Sequence, residues 1–343
     1  FLKYVRLHLE RLLPRSPNRM PYDDWRGYFG EASALYMRFM GHTAARLYYP
    51  GIIGLIFEIL IDLEKKNVNQ SLQSAPAGIL RAVYGVLLCV WAVRFLCIWK
   101  RVEERSALQW GMSSFEVYET PRPQYKGTIC KSPVDGKDEI YFPPRRRRKP
   151  IYVGTLVTVG MVACVCLFIW LVFFLKTVNV VASTIVNIVG IQIFTLVYRG
   201  MAITLTEKEN WRTETIFADK LILKLFCFNF VNSYGSLLLL LIRVQCVAAC
   251  VVDLWYNVLT ILFGSIATST AVSILVPIVT RRKNQYAQGG LTQAMSKLEW
   301  QYLLCEYDET LDAIQNFTAA SIMYGYIVLF SAAAPVSAFL CAL

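Results

Sequence analysis

Long hydrophobic runs dominate the sequence and restrict the folds that the chain can adopt. Residues 151–175 contain no charged side chain, and neither do residues 178–198. Residues 244–280 contain a single charge, Asp253, and residues 313–343 contain none. About 20 apolar residues in a helix cross the hydrocarbon core of a bilayer, so each run is long enough to span a membrane. The composition agrees, since only 17% of all residues are charged, against roughly a quarter in soluble proteins.

The alternation of apolar runs and polar breaks predicts seven membrane-spanning segments, which we number spans 1 to 7. We place them at about residues 34–62, 78–99, 151–175, 180–205, 216–242, 246–280 and 315–340. Each span is expected to be helical, because a helix satisfies its own backbone hydrogen bonds in lipid. The sequence therefore predicts an all-α, polytopic, integral membrane protein. A juxtamembrane segment would cover residues 1–33, a transmembrane domain residues 34–343, and a long polar loop residues 100–150.

Basic residues set the expected orientation of these spans. Lys and Arg are abundant in residues 1–33 and in the 100–150 loop, which ends in a run of five basic residues at 145–149. Because cytoplasmic loops are the ones enriched in Lys and Arg, both segments are expected to be cytoplasmic. This orientation places Asn69, in an Asn-Gln-Ser sequon, outside as a candidate glycosylation site. The formal charge of +11 then indicates contact with anionic lipids, and nucleic-acid binding is not expected.

The residue types needed for catalysis are sparse, so we do not expect an enzyme. The sequence has two histidines, His8 and His42, and neither has a metal-ligand partner at helical spacing. No Ser/His/Asp or Cys/His set lies at a comparable depth in the predicted spans. Most of the ten cysteines lie inside spans, which is typical of core positions rather than of a disulfide framework.

Spans 4 and 5 carry more polar side chains than lipid-facing helices normally do. A short charged segment at residues 205–213 joins them, and span 5 contains Lys224, Asn229 and Asn232. Polar groups inside a membrane are costly and mark either a transport path or hydrogen bonds between helices. For any single Asn or Ser the interhelical hydrogen bond is the simpler explanation, whereas the set as a whole favours a polar path.

Four stretches of the sequence, in the same order, resemble the anoctamin family. They are the Tyr-Phe-Gly-Glu motif at 28–31, the Trp-Lys-Arg motif at 99–101, the Leu-Thr-x-x-Glu-Asn-x-Arg-Thr motif at 205–213 with its continuation at 224–237, and the Gly-Tyr-x-x-Leu-Phe-Ser-x-x-x-Pro motif at 325–335. Together they cover nearly the whole chain. The chain is therefore identified as a divergent member of the anoctamin family.

The resemblance implies a ten-helix, usually dimeric protein that is a calcium-activated chloride channel, a phospholipid scramblase, or both. This chain would cover about the first seven helices. It begins at Phe1 without Met and ends at a hydrophobic run, so we interpret it as part of a longer protein. In the family, lipid head groups or anions pass along a groove between helices three to seven. The candidates for such a groove are Asn187, Gln192, Thr195, Tyr198 and Arg199 on span 4, and Asn229, Asn232, Ser233 and Ser236 on span 5.

The sequence departs from the family at the calcium ligands that the resemblance implies. Counting back from Pro277 on span 6 and from Gly325 on span 7 gives the corresponding positions. They are Ser269, Ser273, Asn316 and Ala319. None is a carboxylate, although calcium requires several oxygen ligands that neutralise its charge. Calcium is the one cofactor to consider, and we expect the dependence on it to be weakened or lost.

Two other carboxylates, Glu309 and Asp312, are three residues apart and offer an alternative calcium pair. Their spacing resembles the family's own acid-x-x-acid pattern. Using them would require about two additional helical turns before Gly325. The simpler interpretation is a solvated acidic segment at the membrane surface.

Two functions remain compatible with the sequence. The first is an anion channel or phospholipid scramblase, with membrane lipids and anions such as chloride as partners and a homodimer as the full-length assembly. The second is a non-transporting relative that acts as a membrane tether or scaffold, favoured by the missing ligands and by the basic run at 145–149. The sequence does not distinguish ions from lipids as the transported species, nor the plasma membrane from an internal membrane.

Overall fold

A computed structural model of the chain describes residues 20–67, 75–113, 119–132, 136–243, 249–287, 301 and 308–342. Its elements in chain order are α1 (Tyr22–Phe29), α2 (Glu31–Asn67), α3 (Ala75–Gln109), β1 (Thr128–Lys131), β2 (Asp138–Tyr141), α4 (Pro144–Val178), α5 (Val180–Lys208), α6 (Glu214–Arg243), α7 (Ala249–Ala287), α8 (Glu309–Phe330) and α9 (Val336–Ala342). The candidate glycosylation site Asn69 lies outside the described residues.

Seven of the described helices, α2 to α8, are long and apolar enough to cross a membrane. This confirms the predicted all-α, polytopic fold. Many of their large apolar side chains face outward, for example Val86 at 65% and Ile274 at 56% exposure. An apolar exterior of this extent requires lipid around it, because soluble proteins rarely expose large contiguous apolar patches. The chain is an integral, multi-pass membrane protein.

The described residues of the expected 100–150 loop include helix ends and a strand pair. α3 continues to Gln109 and α4 begins at Pro144. Between them β1 and β2 pair in antiparallel register, with Thr128 opposite Tyr141. Hydropathy marks only the part of a helix that lies in lipid, whereas charged residues can extend the same helix beyond the bilayer. Pro144 suits the first turn of α4, since its missing N–H would have no helical partner there.

The apolar segment predicted as one span over residues 315–340 is divided into two helices. α8 ends at Phe330 and α9 begins at Val336. Pro335 lies between them, and proline has no backbone N–H and disfavours helical geometry in the residue before it. The hydroxyls of Ser331 and Ser337 are hydrogen-bonded at 2.7 Å across this break, so the polar groups of the turn are satisfied within the protein.

α6 lies at the centre of the bundle. Half of its apolar segment is buried, against 17–28% for the other six membrane-length helices. It packs against α4, α5, α7 and α8. Two of its aromatic side chains belong to separate core clusters. Phe228 packs with Tyr198 of α5 in one cluster, and Tyr234 packs against α8 in the other. Any site enclosed by α5, α7 and α8 therefore has α6 as one of its walls.

α2 approaches the break between α8 and α9 closely at Gly54. A Cβ at this position would meet the backbone of Pro335 and would lie 2.7 Å from the Tyr84 hydroxyl. That hydroxyl is itself held, because it donates to the Pro50 carbonyl at 3.2 Å. The absence of a side chain at Gly54 is what allows this contact.

We predict that Gly54→Ala destabilises the protein by about 1–3 kcal/mol, because overpacking forces backbone atoms to move. Thermal unfolding of the purified full-length protein would measure the loss. Gly160→Ala is the matched control, since Gly160 lies in α4 with nothing within 4 Å of its Cβ position. Equal melting temperatures for the two variants would contradict the close packing of α2.

Candidate functional site

A cavity of about 330 Å³ lies between α5, α6, α7 and α8. We call it the four-helix cavity. Most of its wall is apolar, and polar side chains interrupt the wall at intervals. They are Gln192, Thr195 and Arg199 from α5, Asn229 and Ser233 from α6, Ser265, Ser269 and Thr270 from α7, and Gln315, Thr318 and Tyr326 from α8. The structure thus brings five of the nine predicted groove residues to one space.

Helical periodicity explains why these residues meet. Gln192, Thr195 and Arg199 are spaced by three and four residues, so they lie along one face of α5. Asn229 and Ser233 are four apart on α6 and share a face in the same way. The two helices run in opposite directions along the cavity, which places Arg199 near its Leu311 end and Ser233 near its Tyr326 end.

Hydrogen bonds between α5 and α6 form the back of this wall. The Asn232 amide donates to the Ile191 carbonyl at 2.9 Å and to the Thr195 hydroxyl at 3.1 Å. The Asn229 side-chain oxygen lies 3.4 Å from that same hydroxyl. Asn232 is only 2% exposed, so it links the helices without reaching the cavity. These bonds fix the orientation of Thr195 and Asn229 along the wall.

The other four predicted groove residues do not line the four-helix cavity. Tyr198 is fully buried; its ring stacks on Phe228 at 4.0 Å between centroids and its hydroxyl bonds Thr158 at 2.8 Å. The Asn187 amide donates to the Ser236 hydroxyl at 3.3 Å. With Asn232, these side chains make the interhelical hydrogen bonds that the sequence allowed as their simpler role.

A second, water-sized cavity of about 20 Å³ adjoins Asn187 and Ser236. Lys176 lines it and lies 3.9 Å from the Asp253 carboxylate. Asp253, the single charge in its apolar run, is 61% exposed in this pair. Its position near the N-terminal end of α7 therefore avoids the cost of burying an unpaired charge.

Arg199 is the only charged side chain among the described residues that line the four-helix cavity. Its Nη2 lies 3.6 Å from the Asp312 Oδ1, and the two side chains are 31% and 35% exposed. This ion pair joins α5 to α8 at one end of the cavity. Asp312, a candidate calcium ligand, thus has an arginine as its partner. Glu309 is the first residue of α8, and its side chain lies outside the described part of the structure.

The described residues do not fit a calcium ion at the four positions that the family resemblance implied. Ser269 and Ala319 line the four-helix cavity, whereas Ser273 turns its hydroxyl to the Ser269 carbonyl at 2.9 Å and Asn316 is exposed outside the lining set. None of these residues contributes a carboxylate. Within the described ranges, no three His, Cys, Asp or Glu side chains come together as a metal site. Calcium requires six to eight oxygen ligands with carboxylates among them.

A buried ion pair fixes the turn between α5 and α6. The Lys224 Nζ lies 2.5 Å from the Glu209 carboxylate and donates to the Thr206 hydroxyl at 3.0 Å. The second Glu209 oxygen accepts from the Trp211 indole at 2.8 Å. Glu209 is 1% exposed, so it depends on these partners for its charge.

Side chains from residues 119–132 and 136–139 contact the same turn, a contact that the sequence did not predict. The Glu119 carboxylate accepts from the Thr215 backbone N–H at 2.9 Å, which satisfies the first turn of α6. Arg122 pairs with Glu214 at 2.6 Å and stacks on the Phe217 ring at 3.7 Å. Further along, Arg212 pairs with Glu139. These contacts hold the start of α6 against the rest of the bundle.

The motif at residues 205–213 now has a structural explanation. Asn210 adopts a positive φ of 55°, which asparagine tolerates better than most residues. Its side chain bonds both backbone groups of Lys126, accepting at 3.0 Å and donating at 2.7 Å. The motif therefore builds the turn and its docking surface rather than the cavity wall.

The comparisons with known proteins agree with this architecture. The family model for anoctamin, described as a calcium-activated chloride channel, matches residues 25–343. The chain belongs to the anoctamin family. It is 25% identical to human anoctamin-7 over 92% of this chain and 43% of that protein. It is 25% identical to human anoctamin-10, over 93% of this chain and 49% of that protein. It is 28% identical to zebrafish anoctamin-10, over 93% of this chain and 50% of that protein. The chain thus spans half or less of the length of these relatives.

We predict that Lys224→Met destabilises the protein by about 3–5 kcal/mol, because it leaves the buried Glu209 carboxylate without its counter-charge. Thermal unfolding of the full-length protein would detect this as a large drop in melting temperature. Adding Glu209→Gln to the variant should restore part of the loss. Lys220→Met is the matched control on the exposed side of α6, and an equal effect there would contradict the role of the pair.

Proposed function

We propose that this chain forms the transport path of an anoctamin-type anion channel or phospholipid scramblase, with the four-helix cavity as part of that path. The observation that carries the proposal is the convergence of polar side chains from four adjacent helices on one cavity inside an otherwise apolar bundle. The family match supports a channel or scramblase type of membrane protein. A homodimer of the full-length protein and a membrane-lipid or chloride partner belong to the same proposal.

The wall of the cavity suits an anionic group with apolar tails. A charge in the hydrocarbon core costs several kcal/mol, and hydroxyl, amide and guanidinium groups replace part of the lost hydration. Gln192 and Arg199 are separated by seven residues, or about 10 Å along α5, roughly a third of a bilayer core. Apolar residues such as Leu221 and Ile266 alternate with the polar ones, so lipid tails could remain in an apolar environment.

The same proposal includes a calcium dependence that is weakened or lost. Its support is chemical, because the four positions indicated by the family resemblance hold Ser, Ser, Asn and Ala. Asp312, the alternative candidate ligand, forms an ion pair with Arg199. An arginine supplies the positive charge that a divalent ion would otherwise bring to this end of α8.

The alternative is a membrane tether or scaffold that transports nothing. It rests on the basic run at the start of α4, where Arg145, Arg146, Arg148 and Lys149 are exposed. Each such residue contributes about 1 kcal/mol of attraction to an anionic membrane surface. This role would not require the four-helix cavity, so blocking the cavity separates the two functions.

We expect the full-length protein in liposomes to move fluorescent lipids between leaflets both with calcium and with a chelator. The reason is that no carboxylate occupies the expected ligand positions on α7 and α8. Movement only with calcium would contradict the proposed loss of calcium dependence. If no lipid moves, chloride efflux from the same liposomes decides between a channel and a tether.

We predict that Ser265→Trp lowers the transport rate at least tenfold, because an indole would fill much of the four-helix cavity between α6 and α7. The same liposome assay measures it. Ile274→Trp is the matched control, since Ile274 lies on the same helix but is 56% exposed and lies outside the cavity lining. Equal rates for the two variants would place the transport path elsewhere.

A further inference from the structure

Arg199 has more hydrogen-bond donors than its partner uses. A guanidinium carries five N–H donors in a planar fork. The contact with Asp312 joins one nitrogen to one oxygen at 3.6 Å, longer than the roughly 2.7–2.9 Å of a charge-assisted hydrogen bond. A bidentate pair would engage two nitrogens at that shorter distance. Most donors of Arg199 are thus left for a partner inside the cavity that its side chain lines.

The Asp312 carboxylate is also only partly engaged by the pair. Its carboxylate is 35% exposed, so it can be hydrated when the arginine leaves it. It lies in the first turn of α8, whose N-terminal cap is a separate residue, Asp308, accepting from the Leu311 backbone at 2.9 Å. Because Asp308 performs the capping, Asp312 is not required to begin the helix. Releasing Asp312 therefore does not remove the cap of α8.

We propose that Arg199 is an anion-binding residue of the four-helix cavity and that Asp312 is its resting partner, displaced when an anion enters. The inference rests on the proposed function of that cavity. The anion is a small group of one negative charge, either the phosphodiester of a lipid head group or a free inorganic anion. The guanidinium exchanges the Asp312 carboxylate for this group and takes the carboxylate back when the group leaves.

This exchange allows an anion to leave the site as well as to enter it. A permanent cation without a partner would hold an anion strongly in a site of low polarity, whereas conduction requires a site that an ion both enters and leaves. Asp312 competes with the anion and lowers its apparent affinity. Asn229 and Gln315 in the same lining offer amide N–H groups but no second positive charge, which matches an anion of single charge.

The test measures binding rather than transport. The purified full-length protein is titrated in chloride-free buffer with glycerophosphocholine, a phosphodiester head group without tails, and separately with chloride, and its thermal unfolding is followed. The wild-type protein should be stabilised by at least one of the two probes. Asp312→Asn should tighten the binding of that probe about fivefold, the gain expected from removing a partly exposed competing ion pair. Arg199→Gln should lose the binding, and Arg199→Lys, which keeps the charge, should retain part of it.

Opposite effects of the two substitutions distinguish an anion site from a structural ion pair. If Asp312→Asn and Arg199→Gln lower the melting temperature alike and leave probe affinity unchanged, the pair only holds α5 to α8 and the proposal is overturned. Glu139→Gln is the matched control, because it breaks the pair with Arg212, neither residue lines the cavity, and probe affinity should stay unchanged.

The outcome separates this inference from the proposed function. Binding that depends on Arg199, in a protein that moves neither lipid nor chloride, would support the anion site and contradict transport. Transport by the protein, together with unchanged probe affinity in Arg199→Gln, would support the proposed function and contradict the anion site at Arg199. A response to glycerophosphocholine alone identifies a lipid head group as the natural anion, whereas a response to chloride alone identifies an inorganic anion.

Discussion

The structure depends on one constraint, namely that lipid supplies no hydrogen-bond partners to the groups it surrounds. Backbone groups are therefore satisfied within helices, of which seven in the described part of the chain are of membrane length. The same constraint applies to side chains, since the Tyr198 hydroxyl and the amide nitrogens of Asn187 and Asn232 bond to neighbouring helices. The four-helix cavity differs from these contacts, because polar side chains from each of its four helices also border an open space.

α6 is the element through which this cavity is held in shape. One of its faces makes the hydrogen bonds to α5, and another supplies Asn229 and Ser233 to the cavity. Its first turn is held by Glu119, and the buried pair of Lys224 and Glu209 fixes the turn that precedes it. The contact of Arg199 with Asp312 joins α5 to α8 at one end of the same cavity.

Sequence reasoning placed the candidate groove residues on two of the helices that line the four-helix cavity, but it could not say which of those residues reach the cavity. Asn229 and Asn232 are three residues apart on α6, yet one lines the cavity and the other is 2% exposed behind it. The difference is that Asn232 is directed at the α5 backbone whereas Asn229 borders the cavity, and this depends on helix packing that no local pattern encodes. Ser265, Thr270, Gln315 and Thr318 were missed although they line the cavity. Their polar side chains inside the apolar spans 6 and 7 were the available signal.

The amino-acid sequence by itself determined the class of protein, the number of membrane-length helices and the family, because hydropathy and short motifs are local properties of the chain. It also determined that the expected calcium positions lack carboxylates. Only the tertiary structure decided which polar residues share a cavity, that Asp312 faces Arg199, and that Arg122 and Glu139 contact the segment between α5 and α6. These outcomes depend on contacts between residues distant in the chain, and such contacts exist only once the helices have packed.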